Sequence, residues 1–351
     1  QPYAQRVVGV LIRYLQWNRL PALSRLQTVR IAGQSDILAM DATSRRTLEI
    51  LSGPDGSSYG SLLAVLDSTR TPMGGRLLKT WLTQGLRSPT RLEARYDAVQ
   101  ASLENSLARE ELRRSLGQIG DLERVINRLL LSPERATPRD LARLRDALRA
   151  AEALGAAQAE LGGLDVAVYN PLPELRGLLE RALAPTPRAS LIPRADAEMG
   201  DLLAAGWDAE LDALLSQETS IKGEIERLIE TLSLITGIRS LQYKRDARTQ
   251  QIVMTLSSAE ARKTPADWSR IAKGKEQYTN QQLIQLSDTL NDIEGQRADV
   301  ERSAWGRLWL QVAAHGPQLL QLARDLAQID VLTALAHVAV RERWTRPAIV
   351  A

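Results

Sequence analysis

The chain has 351 residues, of which 44% are hydrophobic and 25% charged, a balance that implies a folded protein of two or three domains or one elongated assembly. It contains no Cys, no Phe and only two His, which excludes disulfides, thiolate chemistry, iron–sulfur clusters, Cys-ligated zinc and a His-rich metal centre. The formal charge is only +3, but residues 238–275 hold nine basic and three acidic side chains, so that segment carries +6 and the remainder −3.

No apolar run approaches the roughly 18 residues that span a bilayer, and the opening QPYAQRVVG lacks a basic stretch followed by an apolar one. The expected location is therefore cytoplasmic, in association with a bacterial nucleoid, with no membrane partner. The absence of an initiator Met points to processing or to a piece of a longer chain.

In chain order, Val7, Val8, Leu11, Ile12, Leu15, Leu20, Leu23 and Leu26 recur at helical spacing and predict a helix over 5–31, divided at Pro21. Ile37–Met40 reads as a strand or as an extended entry to a helix over Ala42–Leu51. GPDGSSYG is a loop, and helix resumes over Ser61–Leu66 and Gly74–Thr83. Further helices are predicted at 90–106, 108–116, 119–130 and 138–160. Asp121 is placed as one N-cap, and Thr137 as another, with Pro138 in the first helical position. After Gly162-Gly163 and a Pro-rich break, helix 173–184 leads into an irregular connector with room for a short strand. A long helical pattern then runs from Trp207 to Ile235.

The period changes at Ser240–Lys244 and Gln251–Leu256, which fit two short strands around a turn at 245–249. Helix returns from Asn280 to about Gln311 and again over 317–341. The expected fold class is mainly α: an elongated helical core with long lever helices and a small β-containing module between them. The expected divisions are 1–130 (helical core), 131–236 (lever helices and connector), 237–279 (basic module) and 280–351 (returning lever and closing core helices). An ordinary helical bundle with an irregular insertion fits the same pattern.

No catalytic constellation emerges, because GxxxxGK[ST], GxGxxG and HExxH are all absent. Gly74-Gly75-Arg76 reads as close helix packing rather than a phosphate cradle. His337 reads as a core or interface histidine, and His315 as part of a turn. Several charged side chains read as structural: Asp41, Arg45 and Glu49, with Arg45 and Glu49 at i,i+4 spacing; Asp67; Arg76; Asp121 with Arg124 and Arg128 in reach; and Asp140.

The basic module reads differently. Arg239, Lys244, Arg245 and Arg248 lie around the predicted hairpin, and Arg262, Lys263, Arg270, Lys273 and Lys275 line the return path. Lys and Arg on a rigid element bind phosphates without a base code, so duplex DNA backbone is the expected partner. A solvated basic loop has the same composition. Trp268 and Tyr278 are expected to pack beneath the module.

Several stretches resemble the MutS family of DNA mismatch-recognition proteins. GSLLAVLDSTRTPMGGRLLKTWL (Gly60–Leu82) is similar to that family's most recognisable core segment. MDATSRRTLEI (Met40–Ile50), RLEARYDAVQ (91–100), the segment 119–148, GWDAELDALLS (206–216), TGIRSLQYKRD (236–246) and LAQIDVLTALAHVA (326–339) follow in the family's order. The resemblance implies a central portion of a longer protein, with helical core, levers and a clamp that closes over DNA. It also implies that the mismatch-reading domain and the ATPase with its P-loop lie outside this chain, which is itself no enzyme and needs no cofactor. ATP and Mg belong to that ATPase, and a homodimer and a MutL-like partner belong to the intact protein. ARTQQIVMTL (247–256) departs from the family's aromatic-rich clamp strand. Two alternatives are a module docking an acidic protein and the MutS-like branch that acts on recombination intermediates or stalled ribosomes.

Overall fold

The structure, a computed structural model, describes residues 2–18, 37–38, 40–131, 136–161, 171–185, 187, 202–271 and 276–349. The part of the first predicted helix beyond residue 18, its break at Pro21, and the irregular connector over 188–201 lie outside the described residues. The protein is mainly α-helical with two small antiparallel sheets, and it divides into two compact units, residues 1–180 with 312–351 and residues 181–311.

The first unit is organised around its last helix. Following α1 (Pro2–Trp17), its elements are β1 (Ile37–Leu38), α2 (Ala42–Thr47), α3 (Leu62–Leu66), α4 (Pro72–Thr83), β2 (Gly85–Leu86), α5 (Pro89–Glu104), α6 (Ser106–Ile119), α7 (Leu122–Leu131) and α8 (Pro138–Leu161); α9 (Pro173–Ala182) begins in it. Its final helix, α12 (Gly316–Glu342), carries Leu, Ala, Ile and Val around most of its circumference, a pattern that demands burial on all sides. It packs against α4, α5, α6 and α7, while α6 packs along α8.

The helix starts follow side-chain chemistry. Ser61, Thr71, Ser88 and Asp121 each accept a hydrogen bond from the backbone N–H three residues on, at the starts of α3, α4, α5 and α7. Before α8, the Thr137 N–H and hydroxyl both donate to Asp140, at 2.9 and 2.8 Å, one half of a capping box. Helix α4 begins at Pro72 rather than at Gly74, because Thr71-Pro72 supplies the same cap-then-proline start as Thr137-Pro138. Helix α2 stops at Thr47 rather than Leu51, with Glu49 in the left-handed region at φ 49°. The i,i+4 geometry between Arg45 and Glu49 is therefore lost, and Arg45 Nε donates instead to the Asp41 carbonyl. Asp41 caps α2 through Ser44 N–H, and Asp67 accepts from the N–H and hydroxyl of Thr69.

Two ion-pair sets hold this unit's helices. Arg76 makes a fork to Asp121, at 3.0 and 2.7 Å, and reaches Glu123 at 2.7 Å, joining α4 to the start of α7. Arg128 goes to Asp140 at 2.9 Å rather than to Asp121: residue 128 lies two turns along α7 from its cap, so its side chain is nearer the start of α8. Arg124 contributes its backbone N–H to the Asp121 cap and an attractive charge beside it. At Gly74 α4 comes close to α12, and a Cβ there would clash with the Asp330 carboxylate.

The second unit consists of α10 (Ala209–Thr236), the greater part of α11 (Gln281–Ala314) and a four-stranded sheet between them in sequence. At about 1.5 Å per residue, the 28 residues of α10 extend roughly 42 Å. Asp208 caps its start through the N–H groups of Glu210 and Leu211, and Gly237, at φ 66°, ends it in the left-handed conformation that glycine adopts without strain. Asp208 meets Arg307 at 2.5 Å and Glu218 meets Arg297 at 3.2 Å, which sets α10 and α11 in antiparallel register, and Lys222, on the same helix as Glu218, also meets it at 2.6 Å.

The sheet has the order β3-β4-β6-β5, all antiparallel: β3 (Gln242–Arg245), β4 (Ile252–Thr255), β5 (Ser269–Arg270) and β6 (Gln277–Thr279). The hairpin matches the sequence expectation to within two residues. The short β5 and β6 are additions, as is β2, which pairs with β1. Ile252, Met254, Trp268 and Tyr278 join Ile225, Leu228, Ile229, Leu283 and Leu290 in one apolar cluster that fastens the sheet to both helices. Trp268 and Tyr278 thus pack beneath the module, with ring centroids 6.3 Å apart.

Candidate nucleic-acid interface

Strand alternation divides the basic residues of β3. Tyr243 and Arg245 lie on the face toward the helices: the Tyr243 hydroxyl donates to Glu226 on α10, and Arg245 donates to Asn291 at 3.1 Å and Glu294 at 2.8 Å on α11. Lys244, one residue away, lies on the opposite face and is exposed. The hairpin turn is built by Asp246, whose carboxylate accepts from the N–H groups of Arg248 and Thr249 and holds Arg248 at the turn, exposed.

Beyond β4, a short 3-10 turn, Ala261–Lys263, returns to the end of α10. Glu260 anchors it there. Its carboxylate accepts from Arg239 N–H at 3.2 Å, Ser240 N–H at 3.0 Å, the Ser240 hydroxyl at 2.6 Å and Lys263 Nζ at 3.2 Å. The Ser240 hydroxyl and backbone bonds lead these donors in pulling the Glu260 pKa down to about 2. Lys263 also donates to the Gly237 carbonyl at 2.9 Å, a cation on the last turn of α10.

Glu260 makes this junction pH-sensitive. Its folded pKa is depressed, so its contribution is complete above the ordinary glutamate range near 4.5 and is lost as pH falls toward about 2. Amide exchange at residues 237–241, taken relative to the intrinsic rate at each pH, is expected to accelerate across that window in the native chain. In Glu260→Gln the extra acceleration should vanish; parallel pH profiles for the two proteins would show that Glu260 does not hold the junction.

The predicted phosphate-binding residues therefore fall into two sets. Arg245 and Lys263 are tied as above, and Arg270 pairs with Glu276 at 2.7 Å, 6.0 Å above the Tyr278 ring. Arg239, Lys244, Arg248 and Arg262 are exposed, and among the described residues their side chains have no hydrogen-bond or ion-pair partner. Lys273 and Lys275 lie outside the described residues. Charge counting along the sequence treats all nine alike; the partition depends on Glu294 and Asn291, which lie 49 and 46 residues from Arg245.

The first unit has a cleft of about 610 Å³, lined by Met73, Trp81, Arg91, Arg95, Ala327 and Leu332, among others. The Arg95 guanidinium lies 3.5 Å from the Trp81 ring centroid, and burial lowers its pKa to about 10, so it stays charged at neutral pH. His337 is half-buried with Nδ1 3.3 Å from Glu110, and His315 precedes α12 at its N-cap. Among the described residues no group of three or more His, Asp or Glu side chains is placed to hold a metal ion, and no helix is long and apolar enough to cross a membrane.

What the sequence reading missed is Asp330. It is fully buried on α12 and accepts from Arg70 N–H at 2.8 Å, Thr71 N–H at 2.7 Å and the Thr71 hydroxyl at 2.7 Å. Burial pushes its pKa up against the pull of those donors. A single carboxylate within the stretch 326–339, LAQIDVLTALAHVA, was the available signal.

The chain is similar over 99% of its length to proteins described as DNA mismatch repair protein MutS. Those from Chloroflexus aurantiacus, Dehalococcoides mccartyi and Roseiflexus castenholzii are 33%, 30% and 27% identical to it. The aligned regions are 38%, 40% and 42% of those relatives, so the chain spans about two-fifths of the length of the curated proteins it matches. The family profile described as MutS domain III matches residues 43–336, from α2 through α10, the sheet, α11 and most of α12. By that match, the chain belongs to the MutS family.

Proposed function

We propose that this chain is the DNA-gripping central portion of a mismatch-repair protein. The sheet of residues 242–279 holds the backbone of duplex DNA without sequence preference, and α10 and α11 relay its position to the rest of the protein. The observation that carries this reading is the set of four exposed cations on and beside the sheet, Arg239, Lys244, Arg248 and Arg262, whose side chains have no hydrogen-bond or ion-pair partner among the described residues, while an apolar cluster anchors the sheet. Rigidly held cations release condensed counterions when they meet phosphates, and they carry no base code. The Asp208–Arg307 and Glu218–Arg297 pairs support the relay, because they hold the helix register.

In this reading, mismatch selection and ATP hydrolysis with Mg belong to other parts of the intact protein, as do homodimerisation and a MutL-like partner. The divisions into core (1–130), lever and connector (131–236), clamp (237–279) and returning helices (280–351) are part of the same proposal. Duplex binding by the chain, measured by fluorescence anisotropy from about 50 to 200 mM salt, tests it. Four phosphate contacts predict that log K falls with log salt at a slope of about −3.6. Affinity that does not change with salt, or no binding at the lowest salt, would overturn the reading. Capture of an acidic protein that duplex DNA fails to displace would assign the patch to that partner instead.

A further inference from the structure

The end of α10 presents an apolar surface that its own unit leaves uncovered. Ile225, Leu228, Ile229 and Leu232 form the helix stripe facing the apolar cluster. Ile235 prolongs that stripe by one step yet is 76% exposed, and Leu234, off the stripe, is 85% exposed. Neither supports the fold: Thr236 ends the helix and Gly237 turns the chain away immediately afterwards. Two adjacent aliphatic side chains standing in water at a helix end are unfavourable in the free chain and become favourable once covered.

Charge identifies the covering partner. Arg239 follows two residues after the Gly237 turn, and Arg262 lies on the 3-10 turn that Lys263 fastens to the Gly237 carbonyl. Both are exposed cations without protein partners among the described residues. An apolar pair within five residues of one such arginine, with a second on the turn fastened to the same helix end, matches an anionic polymer with apolar edges. Duplex DNA meets that description, since its grooves expose sugar and base edges between rows of phosphates. Aliphatic side chains are a recurrent means of contacting the minor groove.

We propose that Leu234 and Ile235 form a non-ionic contact with a DNA groove while Arg239 and Arg262 neutralise the phosphates beside it. This rests on the proposed duplex binding and adds a second component to it. The cations supply the salt-dependent part of the affinity, and the aliphatic pair supplies a part that salt does not screen. The groove contact also seats the α10 end at a defined depth, which phosphate contacts alone do not do.

The test compares the full chain with Leu234→Ser/Ile235→Ser and with Arg239→Gln/Arg262→Gln, binding a 30-base-pair duplex across a salt series. The serine pair is expected to weaken binding about tenfold at every salt concentration, as partial burial of two aliphatic side chains implies, with an unchanged slope. The glutamine pair is expected to make the slope shallower by about 1.8. Both substitutions are at exposed positions, and unchanged melting curves check that each variant folds. Equal affinity of the serine pair and the native chain at all salts would overturn the proposal while leaving phosphate binding intact. No binding by the native chain at any salt would overturn both. A native dimer in sedimentation that the serine pair dissolves, with DNA affinity unchanged, would assign the patch to a second copy of the chain.

Discussion

Asp330→Ala is expected to destabilise the unit formed by residues 1–180 and 312–351 by about 3–5 kcal/mol, since three donors lose a buried carboxylate and each stranded donor costs about 1–3 kcal/mol. The carboxylate is fully buried and receives three hydrogen bonds, two from the backbone N–H groups of Arg70 and Thr71 and one from the Thr71 hydroxyl. Removing it strands those donors away from water. It also takes a negative charge from the surroundings of Arg113, 1% accessible, whose Nη2 donates to the carbonyl and hydroxyl of Ser68 but whose Nε and Nη1 have no hydrogen-bond partner among the described residues. The charges of Glu110 and Asp330 offset part of the burial cost of that guanidinium.

Gly74 completes the arrangement. With a side chain at residue 74, α4 could not approach the Asp330 carboxylate this closely. Urea unfolding followed by hydrogen exchange on α4 and α12 measures the effect and places it. A loss below about 1 kcal/mol, or protection unchanged in those two helices, would show that Asp330 does not join them.

Much of this architecture is written in local sequence. Periodicity places the long helices, and the Asp121 and Thr137-Pro138 signals mark two of the starts. The change of period at residue 240 marks the hairpin. Other features depend on distance along the chain. Strands β5 and β6 have two and three residues, too few for alternation to show; β6 exists through pairing with β4, and β5 through pairing with β6. Asp330 acts on residues about 260 positions away. The Arg45–Glu49 spacing was legible as a helical pair only on the assumption of a helix that ends two residues too soon.

The candidate site shows the same division. Its location is legible as a +6 segment. The roles within it are not, because a carboxylate on α11 or at residue 260 decides whether an arginine or lysine is free.

That division supplies the second large effect. Arg239→Gln, Lys244→Gln, Arg248→Gln and Arg262→Gln together are expected to weaken duplex binding about four-thousandfold near 0.1 M salt, since each lost phosphate contact costs about 0.9 of a decade there. Removing the tied set, Arg245→Gln, Lys263→Gln and Arg270→Gln, takes away the same kind of charge but acts mainly on the fold. Arg245 links β3 to α11, Lys263 closes the end of α10, and Arg270 pairs with Glu276. The tied-set variant is expected to melt at lower temperature and to retain most of the salt dependence.

The most direct test of DNA-backbone binding by this sheet is therefore the salt slope of duplex binding measured side by side for the native chain and the two variants. The free-set variant is predicted to be shallower than the native chain by about 3.6 and the tied-set variant to lie within about 1 of it. A tied-set variant that loses the slope while the free-set variant keeps it would contradict the account.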